Sequence, residues 1–359
     1  MTLRTGAALA AVTALTLTAC GGVSGDDAAG SASDGYHGTL QGVGASSMRA
    51  AQEAWRAGFQ TANPKATINY SPDGSGAGRT AFSDGAADFA GSDRALNDEE
   101  MTRAFAKCVA GTSPINLPVY ISPIAIIFNV DGVTELNLTA EVIAKIFAGQ
   151  ITNWNDPAIV ALNTGVSLPN LTITPVHRSD NSGTTENFTS TLSQVAPAVW
   201  TERASGDWPA AFQGEGAQGT SGVVAAVQSG SGTIGYADIS GVAETMTMVS
   251  YSLDGMADYV GPTAEAAAQV VEASERVAAS TNDWTLELDR TAAGYPFVLV
   301  SYAIACQQYA DPATGELVNA YLSYLASDEG QLAAVPQAGN APLAGELAQG
   351  VQAAVATIE

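Results

Sequence analysis

Apolar positions recur along the chain with two different periods, and each period predicts a different element. Met48, Ala51, Trp55 and Phe59 follow the short run LQGVGA at a spacing that places them on one helix face. Short apolar runs such as TINYSP, LTITPVHR, TIGYAD and FVLVSYAIA are typical of strands. Because strands and helices alternate from residue 36 onwards, the pattern predicts an α/β fold with mainly parallel strand pairing.

Several longer segments add to this pattern. Residues 117–130, LPVYISPIAIIFNV, form a β-rich run that we expect two prolines to break. Residues 139–147 place Val142, Ile143, Ile146 and Phe147 on one face, which predicts a helix that stops at Gly149. Alanine-rich helices are expected at 263–279, 315–327 and 342–357.

Composition limits the classes of protein that the chain can form. Its 359 residues suit about two domains, and 46% hydrophobic with 14% charged residues exclude a disordered chain and a coiled coil. A net charge of −23 argues against duplex nucleic acid or an anionic membrane surface as a partner. It does not exclude an anionic ligand, because a buried cradle of N–H groups binds anions regardless of net charge. Three cysteines and two histidines do not easily form a zinc site, so we expect no metal and no cofactor.

The N-terminus predicts export and lipid anchoring. Arg4 precedes an uncharged stretch at 6–19, the layout of a secretory signal, although a buried core helix is the alternative. The segment ends in LTACG, which resembles the bacterial lipobox, so residues 1–19 are interpreted as a lipoprotein signal peptide and Cys20 as the lipid anchor. Residues 20–35 are rich in Gly, Ser, Ala and Asp and would form a flexible tether. These features predict a protein held at the outer face of the cell membrane.

Cys108 and Cys306 remain once Cys20 is set aside. In an oxidising compartment a disulfide between them is the simpler interpretation, and two independent buried thiols are the alternative. If they are bonded, chain near residue 108 lies against chain near residue 306, and one domain contains both early and late sequence.

Three predicted strand-to-helix junctions share one chemistry. They are GVGASS at 42–47, GSGAG at 74–78 and RSDNSGT at 178–184. Free N–H groups in the first turn of a helix, nearby hydroxyls and glycines that admit a close ligand together favour an anion. A single such turn is more often an ordinary serine cap. Three in one chain, one of them with an arginine, predict an anion site.

Two other chemistries fit these turns poorly. The nucleotide-binding P-loop ends in Lys-Ser/Thr, whereas Arg79 follows Gly78 here. His177, Asp180 and Ser182 lie within six residues without a G-x-S-x-G elbow, which disfavours a hydrolase triad. His177 is therefore expected to be an ordinary strand residue, and His37 to be solvated.

The chain resembles the phosphate-binding protein of the bacterial high-affinity phosphate ABC transporter. The matching pieces cover nearly all of residues 38–310 in the order of that family: LQGVGASS, PDGSGAGR, ADFAGSDRAL, IAKIFAGQITNWNDPAI, VHRSDNSGTTENF, GTIGYAD and YPFVLVSYAI. The resemblance implies a two-lobed periplasmic-binding-protein fold of type II, in which each lobe is a mainly parallel sheet flanked by helices. Lobe one would be 36–118 plus 294–359 and lobe two 119–293, joined by two crossover hinge strands. Cys108 and Cys306 would then both belong to lobe one.

The resemblance also implies the site, in which phosphate is held between the lobes by about a dozen hydrogen bonds. The implied ligand residues are Ser46, Ser47, Ser75, Asp93, Arg178, Ser182, Gly183 and Thr184. Asp180 would hold Arg178 in place. Where the family usually has an aromatic residue, this chain has Ser47, which keeps the backbone N–H but not the cover that the ring provides.

Asp93 is the expected selective element. An ionised carboxylate only accepts hydrogen bonds, so it would favour phosphate, which carries a P–OH donor at neutral pH, over sulfate, which carries none. The alternative is that Asp93 caps a helix at 98–105 or is a surface charge.

The predicted function is therefore a non-enzymatic, monomeric receptor that delivers inorganic phosphate to the membrane permease of an ABC transporter. Three alternatives stay open at this point. They are a receptor for sulfate or molybdate, a secreted phosphatase, and a ligand-free adhesin built on the same fold.

Overall fold

A computed structural model of the chain describes residues 35–256, 258–277 and 280–359. The predicted signal peptide, the lipid-anchor Cys20 and the tether up to residue 34 lie outside the described residues.

Strands and helices alternate, as predicted. The strands are β1 (His37–Gly44), β2 (Lys65–Ser71), β3 (Phe89–Ser92), β4 (Pro114–Asn129), β5 (Leu136–Thr139), β6 (Thr174–Arg178), β7 (Glu215–Ala217), β8 (Thr233–Asp238), β9 (Thr247–Ser252), β10 (Glu275–Arg276), β11 (Leu286–Glu287) and β12 (Val298–Cys306). The helices are α1 (Arg49–Ala62), α2 (Ser75–Ser83), α3 (Asp98–Met101), α4 (Ala140–Phe147), α5 (Pro157–Leu162), α6 (Gly183–Val195), α7 (Gly219–Ser229), α8 (Ala264–Glu272), α9 (Pro312–Ala326), α10 (Asp328–Ala338) and α11 (Gly345–Val355), with a 3-10 turn at Ile239–Gly241.

One mixed sheet organises these elements, with the strand order β2-β1-β3-β12-β4-β8-β6-β7. The strands β2-β1-β3 are parallel and form a first parallel group, and β8-β6-β7 form a second. Between the groups, β12 and β4 run antiparallel to their neighbours. The predicted α/β class with mainly parallel pairing is confirmed within both groups. The exact lobe boundaries at 118/119 and 293/294 stay a prediction.

The strand β4 continues through both of its prolines, so the expectation that the run is broken there was wrong. Its pairing with β12 shifts register between Ser301 and Tyr302, where Pro118 lies opposite Tyr302. Pro123 ends the pairing with β12, and from Ile124 onwards β4 pairs with β8 instead. Since proline has no N–H to donate, it is tolerated where a ladder shifts or ends. All residues of β4 except the last are buried.

Helices flank the sheet as the apolar spacing predicted. The buried face of α1 contains Ala51, Trp55 and Phe59, and the Trp55 indole N–H donates to the Gly330 carbonyl at 2.7 Å. The helix α4 begins after Thr139, whose hydroxyl accepts from the Val142 N–H. The predicted helix at 263–279 is shorter than expected, because α8 ends at residue 272 and β10 follows. Within the described residues, no helix has the length and apolar character needed to cross a membrane.

The disulfide between Cys108 and Cys306 is present, with the two Cα atoms 5.2 Å apart. Cys306 is the last residue of β12, and Cys108 belongs to a segment that pairs with Tyr309. The bond therefore joins the segment around residue 108 to the end of β12, as the sequence predicts.

Loss of this disulfide should destabilise the protein strongly. Because the bond closes a loop of 198 residues, the double variant Cys108→Ser/Cys306→Ser should lose about 2–5 kcal/mol of unfolding free energy. Urea unfolding monitored by tryptophan fluorescence measures the difference, and Cys20→Ser is the matched control. Unchanged stability in the double variant would contradict the assignment.

Candidate functional site

The three junctions predicted to bind an anion come together in the fold. The first follows β1, the second opens α2, and the third links β6 to α6. The second and third are in direct contact, since the Gly76 N–H donates to the Asn181 carbonyl at 3.4 Å. Gly74 has a φ of 104°, and a Cβ there would lie 2.9 Å from Asp180 Oδ2. Only glycine suits this position, because it must combine a left-handed backbone with close packing.

Gly183 allows an equally close approach on the other side. A Cβ on Gly183 would lie 2.5 Å from the Asp93 Cβ and 2.7 Å from Ser75 Oγ. The first turn of α6 therefore packs directly against β3 and α2, which belong to the first parallel group. Any side chain at 183 would force the two groups apart at the predicted site.

Asp93 lies at the centre of this arrangement. It follows β3 and is 3% exposed. Its Oδ1 accepts from the hydroxyls of Ser47 at 2.6 Å and Ser301 at 2.8 Å, and its Oδ2 accepts from the Thr184 hydroxyl at 3.0 Å. The Asp93 N–H donates to Ser75 Oγ at 3.1 Å. One carboxylate thus gathers hydroxyls from three separate parts of the chain.

The alternatives considered for Asp93 do not fit this structure. The cap of α3 is Asn97, whose side chain accepts from the Glu100 N–H in a capping box. Asp93 is neither that cap nor a surface charge, because it is buried.

Two opposing effects set the ionisation of Asp93. Burial raises the pKa of Asp93 above its ordinary value, whereas the hydroxyls of Ser47, Ser301 and Thr184 and the charge of Arg178 lower it. Burial is the larger effect, so the net shift is upward. The hydroxyl donors favour the ionised form, which can only accept hydrogen bonds.

Arg178 supplies the positive charge of the site and is held by Asp180. The Nε and Nη2 atoms of Arg178 donate to the two Asp180 oxygens at 2.8 and 2.5 Å, a bidentate pair. Burial raises the pKa of Asp180, but the hydrogen bonds and charge of Arg178 outweigh that effect and the pKa is lowered. The Gly219 N–H at the start of α7 also donates to Asp180, at 3.0 Å. The predicted supporting role of Asp180 therefore matches its contacts.

The other predicted serines also contact the elements that form this site. Ser46 Oγ is 3.0 Å from Thr220 Oγ1 and accepts from the Thr220 N–H at 3.2 Å, which links the first junction to α7. Ser182 is the N-cap of α6, and its hydroxyl accepts from the Thr185 N–H. Ser47 is fully buried, and its hydroxyl donates to Asp93. The sequence had indicated a role only for its backbone N–H.

Several residues of the site were missed from the sequence. Ser301 is one, although a lone hydroxyl inside the apolar run FVLVSYAIA could have indicated it. Asn187 is another, and its amide donates to the Asp93 carbonyl at 2.6 Å. Thr220 and Gly219 carried no signal, because their role depends on α7 meeting the first junction in space.

The three side chains considered for a hydrolase triad have other partners. His177 Nδ1 is 2.9 Å from the Arg178 carbonyl, and its ring stacks on Trp208 at 4.7 Å. Asp180 is paired with Arg178, and Ser182 caps α6. His177 is thus a strand residue, as expected, and His37 is exposed at the start of β1.

A second buried carboxylate lies at the edge of the site. Asp238 ends β8 and is completely buried. Its Oδ1 accepts from the Tyr120 hydroxyl at 3.0 Å, from the Ser240 N–H and from the Ser240 hydroxyl. The Ser240 hydroxyl is also 3.2 Å from the Ser47 carbonyl, which connects Asp238 to the first junction. Burial raises the pKa of Asp238 to about 7.

Metal-binding clusters are not part of this site. The described residues contain no group of three or more His, Cys, Asp or Glu side chains placed to hold an ion.

Comparison with known proteins identifies the class. The model of the PBP superfamily domain matches residues 29–329. Phosphate-binding protein PstS 3 of Mycobacterium tuberculosis is 36% identical over 323 residues, which cover 86% of this chain and 86% of that protein. PstS 2 of the same species is 36% identical over 337 residues, covering 89% and 90%.

Solved structures agree on the fold. A high-affinity periplasmic phosphate-binding protein bound with phosphate, PfluDING, has a TM-score of 0.69 at 23% identity and covers 88% of this chain and 93% of its own. A phosphate-binding protein from Stenotrophomonas maltophilia has a TM-score of 0.68 at 20% identity, with coverage of 88% and 93%. Fold and site therefore define an α/β binding protein of the PBP superfamily. Within it, the chain belongs to the PstS family of phosphate-binding proteins.

The buried Asp238 makes a specific prediction about stability and pH. Its native pKa of about 7 lies above the ordinary value of 3.8. The folded state therefore binds more protons between these values, and stability falls as pH rises through them. Asp238→Asn cannot lose a proton. Its unfolding free energy relative to wild type should rise by about 1–4 kcal/mol between pH 4 and pH 8.

Urea unfolding at a series of pH values measures this difference. The exposed Asp131→Asn is the matched control and should give a constant difference from wild type. A constant difference for Asp238→Asn as well would show that Asp238 does not titrate in this range.

Proposed function

We propose that this protein binds inorganic phosphate outside the cytoplasmic membrane and delivers it to the permease of an ABC transporter. The observation that carries the proposal is Asp93, a buried carboxylate that accepts hydrogen bonds from the hydroxyls of Ser47, Ser301 and Thr184. The PstS relatives are named for the same ligand. The protein acts as a receptor and not as an enzyme.

The remaining groups of the site suit the oxygens of an oxyanion. Arg178 donates a charge-assisted hydrogen bond, and its pairing with Asp180 fixes the direction of the guanidinium. The N-termini of α2 and α6 contribute free N–H groups and the positive ends of their helix dipoles. The hydroxyls of Ser46, Ser75 and Thr184, with the backbone at Ser47, Ser182 and Gly183, complete the proposed set of ligands.

Asp93 would select phosphate by accepting the proton of its P–OH group. Phosphate retains at least one such proton at neutral pH, whereas sulfate has none. With sulfate, the ionised Asp93 would face a like charge in a dry site without a hydrogen bond. Loss of one charged hydrogen bond corresponds to about 10- to 100-fold in affinity, and the added repulsion increases the discrimination.

Ser47 would act on Asp93 as well as on the ligand. Its hydroxyl and that of Ser301 both donate to Oδ1, which leaves Oδ2 as the oxygen that meets the ligand. In this proposal Thr184, which donates to Oδ2 here, gives that position to the P–OH group. The Ser47 hydroxyl would therefore stabilise the ionised Asp93 carboxylate, at a position where the family usually has an aromatic side chain that covers the site.

Movement and anchoring complete the proposal. Residues 36–118 with 294–359 and residues 119–293 would act as two lobes that close on phosphate about β4 and β12. The mature protein would be a monomer held at the outer face of the membrane by a lipid on Cys20. The permease would then recognise the closed form.

Calorimetric titration of the full-length protein, freed of ligand by unfolding and refolding, tests the ligand and the role of Asp93. Phosphate should bind one to one at pH 7, and millimolar sulfate should not compete. Asp93→Asn should lower the ratio of phosphate to sulfate affinity by about 10-fold or more, because an amide does not replace the charged acceptor. Asp131→Asn, an exposed control, should leave the ratio unchanged.

Tight sulfate or molybdate binding by the wild type would favour another oxyanion as the ligand. Failure of a folded sample to bind any of them would contradict the proposal, and steady release of phosphate from a generic ester would indicate a phosphatase.

Lipid attachment at Cys20 has its own test. In a bacterial host that processes lipoproteins, wild-type protein should incorporate labelled palmitate and sediment with membranes. Cys20→Ser should lose the label and appear in the soluble extracytoplasmic fraction. Equal labelling of both forms would contradict the anchor, while phosphate binding would be unaffected by either result.

A further inference from the structure

The hydroxyl of Ser240 lies between two hydrogen-bond acceptors. Its Oγ contacts Asp238 Oδ1 and is also 3.2 Å from the carbonyl oxygen of Ser47. A serine hydroxyl has a single hydrogen, so it donates to only one of these acceptors at a time. Ser240 lies in the 3-10 turn after β8, whereas Ser47 belongs to the first junction, which follows β1. The choice of acceptor therefore decides whether this hydroxyl holds the first junction.

Tyr120 of β4 presents the same choice. Its hydroxyl is 3.0 Å from Asp238 Oδ1 and 3.5 Å from the carbonyl of Ala338, the last residue of α10. An ionised Asp238 draws both hydroxyls, because a charged acceptor forms the stronger hydrogen bond. A neutral carboxyl group is a weaker acceptor and carries a donor of its own, so it leaves the hydroxyls free for the two carbonyls.

Both forms of Asp238 are accessible near neutral pH. The side chain is completely buried, and within the described part of the chain its Oδ2 accepts no hydrogen bond. Burial raises the pKa of Asp238 to about 7, and the negative charge of Asp93 acts in the same direction. The pKa of Tyr120 is also raised by burial, so its hydroxyl stays protonated.

The elements around Asp238 carry few other titratable groups. The first junction, the 3-10 turn and α7 contain none, and α10 has its acidic residues at the end away from Ala338. The titratable or charged side chains on the remaining neighbours are Tyr120 on β4, Asp93 after β3, His177 and Arg178 on β6, and Glu186 on α6. Arg178 is paired with Asp180, and Glu186 with Arg94.

We propose that Asp238 is a positioning residue of the phosphate site, which in its neutral form lets Ser240 donate to the Ser47 carbonyl and so hold the first junction in place for the ligand. This inference rests on the proposed function. When Asp238 is ionised, it takes the Ser240 hydroxyl, and the Ser47 carbonyl loses that donor. The N–H groups of Ser46 and Ser47 are then held less firmly. This contribution to phosphate affinity is present below about pH 7 and is lost as the pH rises through the pKa of Asp238.

The test compares the phosphate affinity of wild type and Asp238→Asn, measured by calorimetry on full-length protein freed of ligand. Asparagine is neutral at every pH, so it does not draw the Ser240 hydroxyl as a carboxylate does. The two affinities should agree within about twofold at about pH 5.5, and the variant should bind about threefold or more tightly than wild type at about pH 8.5. The ratio cancels the titration of phosphate itself, which is common to both proteins. The exposed Asp131→Asn is the matched control and should give a ratio near one at both pH values.

Ser240→Ala separates this role from simple charge repulsion between Asp238 and phosphate. Without the hydroxyl, adding Asp238→Asn should change phosphate affinity by the same factor, within about twofold, at both pH values. Ser229→Ala, an exposed serine of α7, is the control and should keep the wild-type response. If Asp238→Asn does not fold, Ser240→Ala alone gives the measurement. Its affinity should change between the two pH values by about threefold less than that of wild type.

The outcomes distinguish this inference from the proposed function. A constant ratio of Asp238→Asn to wild type would overturn the inference, and so would an undiminished pH response in the Ser240→Ala background. Phosphate binding by the wild type would stand in both cases. Absence of that binding would overturn the proposed function and this inference with it.

Discussion

The site depends on one buried carboxylate and the hydroxyls that hold it. Burial of Asp93 opposes ionisation and raises its pKa, whereas the hydroxyl donors and the charge of Arg178 favour the ionised form. Ser47, Ser301 and Thr184 donate to it from three different parts of the chain. One of these hydrogen bonds, from Thr184 at the start of α6, also joins the two parallel groups of the sheet. A change in the charge of Asp93 would act on the packing of the whole site.

The sheet explains why these donors can meet. In each parallel group the strands end at one edge, so the junctions after β1, β3 and β6 face one another. The antiparallel strands β12 and β4 lie between the groups and bring Ser301 to the same place. Gly74 and Gly183 then let backbones approach to distances that no side chain would permit. The site is a property of this topology and not of any one loop.

Most of the fold and part of the site could be predicted from the sequence. Helical and strand periods predicted α1, α4 and β8 because each has one buried face or is buried throughout. The glycine and serine junctions indicated an anion site because the chemistry of helix N-termini is local. Assigning Asp93 and Arg178 required the resemblance to a known family, since a single aspartate carries no spacing signal.

The rest depended on tertiary contacts. The prolines of β4 were misinterpreted as breaks in the strand. A strand tolerates a proline where its pairing shifts or ends, and the sequence alone does not show where the pairing of β4 with β12 ends and that with β8 begins. Ser301 and Asn187 acquire their roles only when distant elements pack against Asp93.

A crystal structure of the full-length protein with bound phosphate tests the central claim most directly. The account predicts one phosphate at the meeting point of the three junctions, with one oxygen within hydrogen-bond distance of Asp93 Oδ2 and another on Arg178. Ser47 and Ser301 should still donate to Oδ1. Phosphate bound elsewhere, or bound at the junctions without contact to Asp93, would contradict the account.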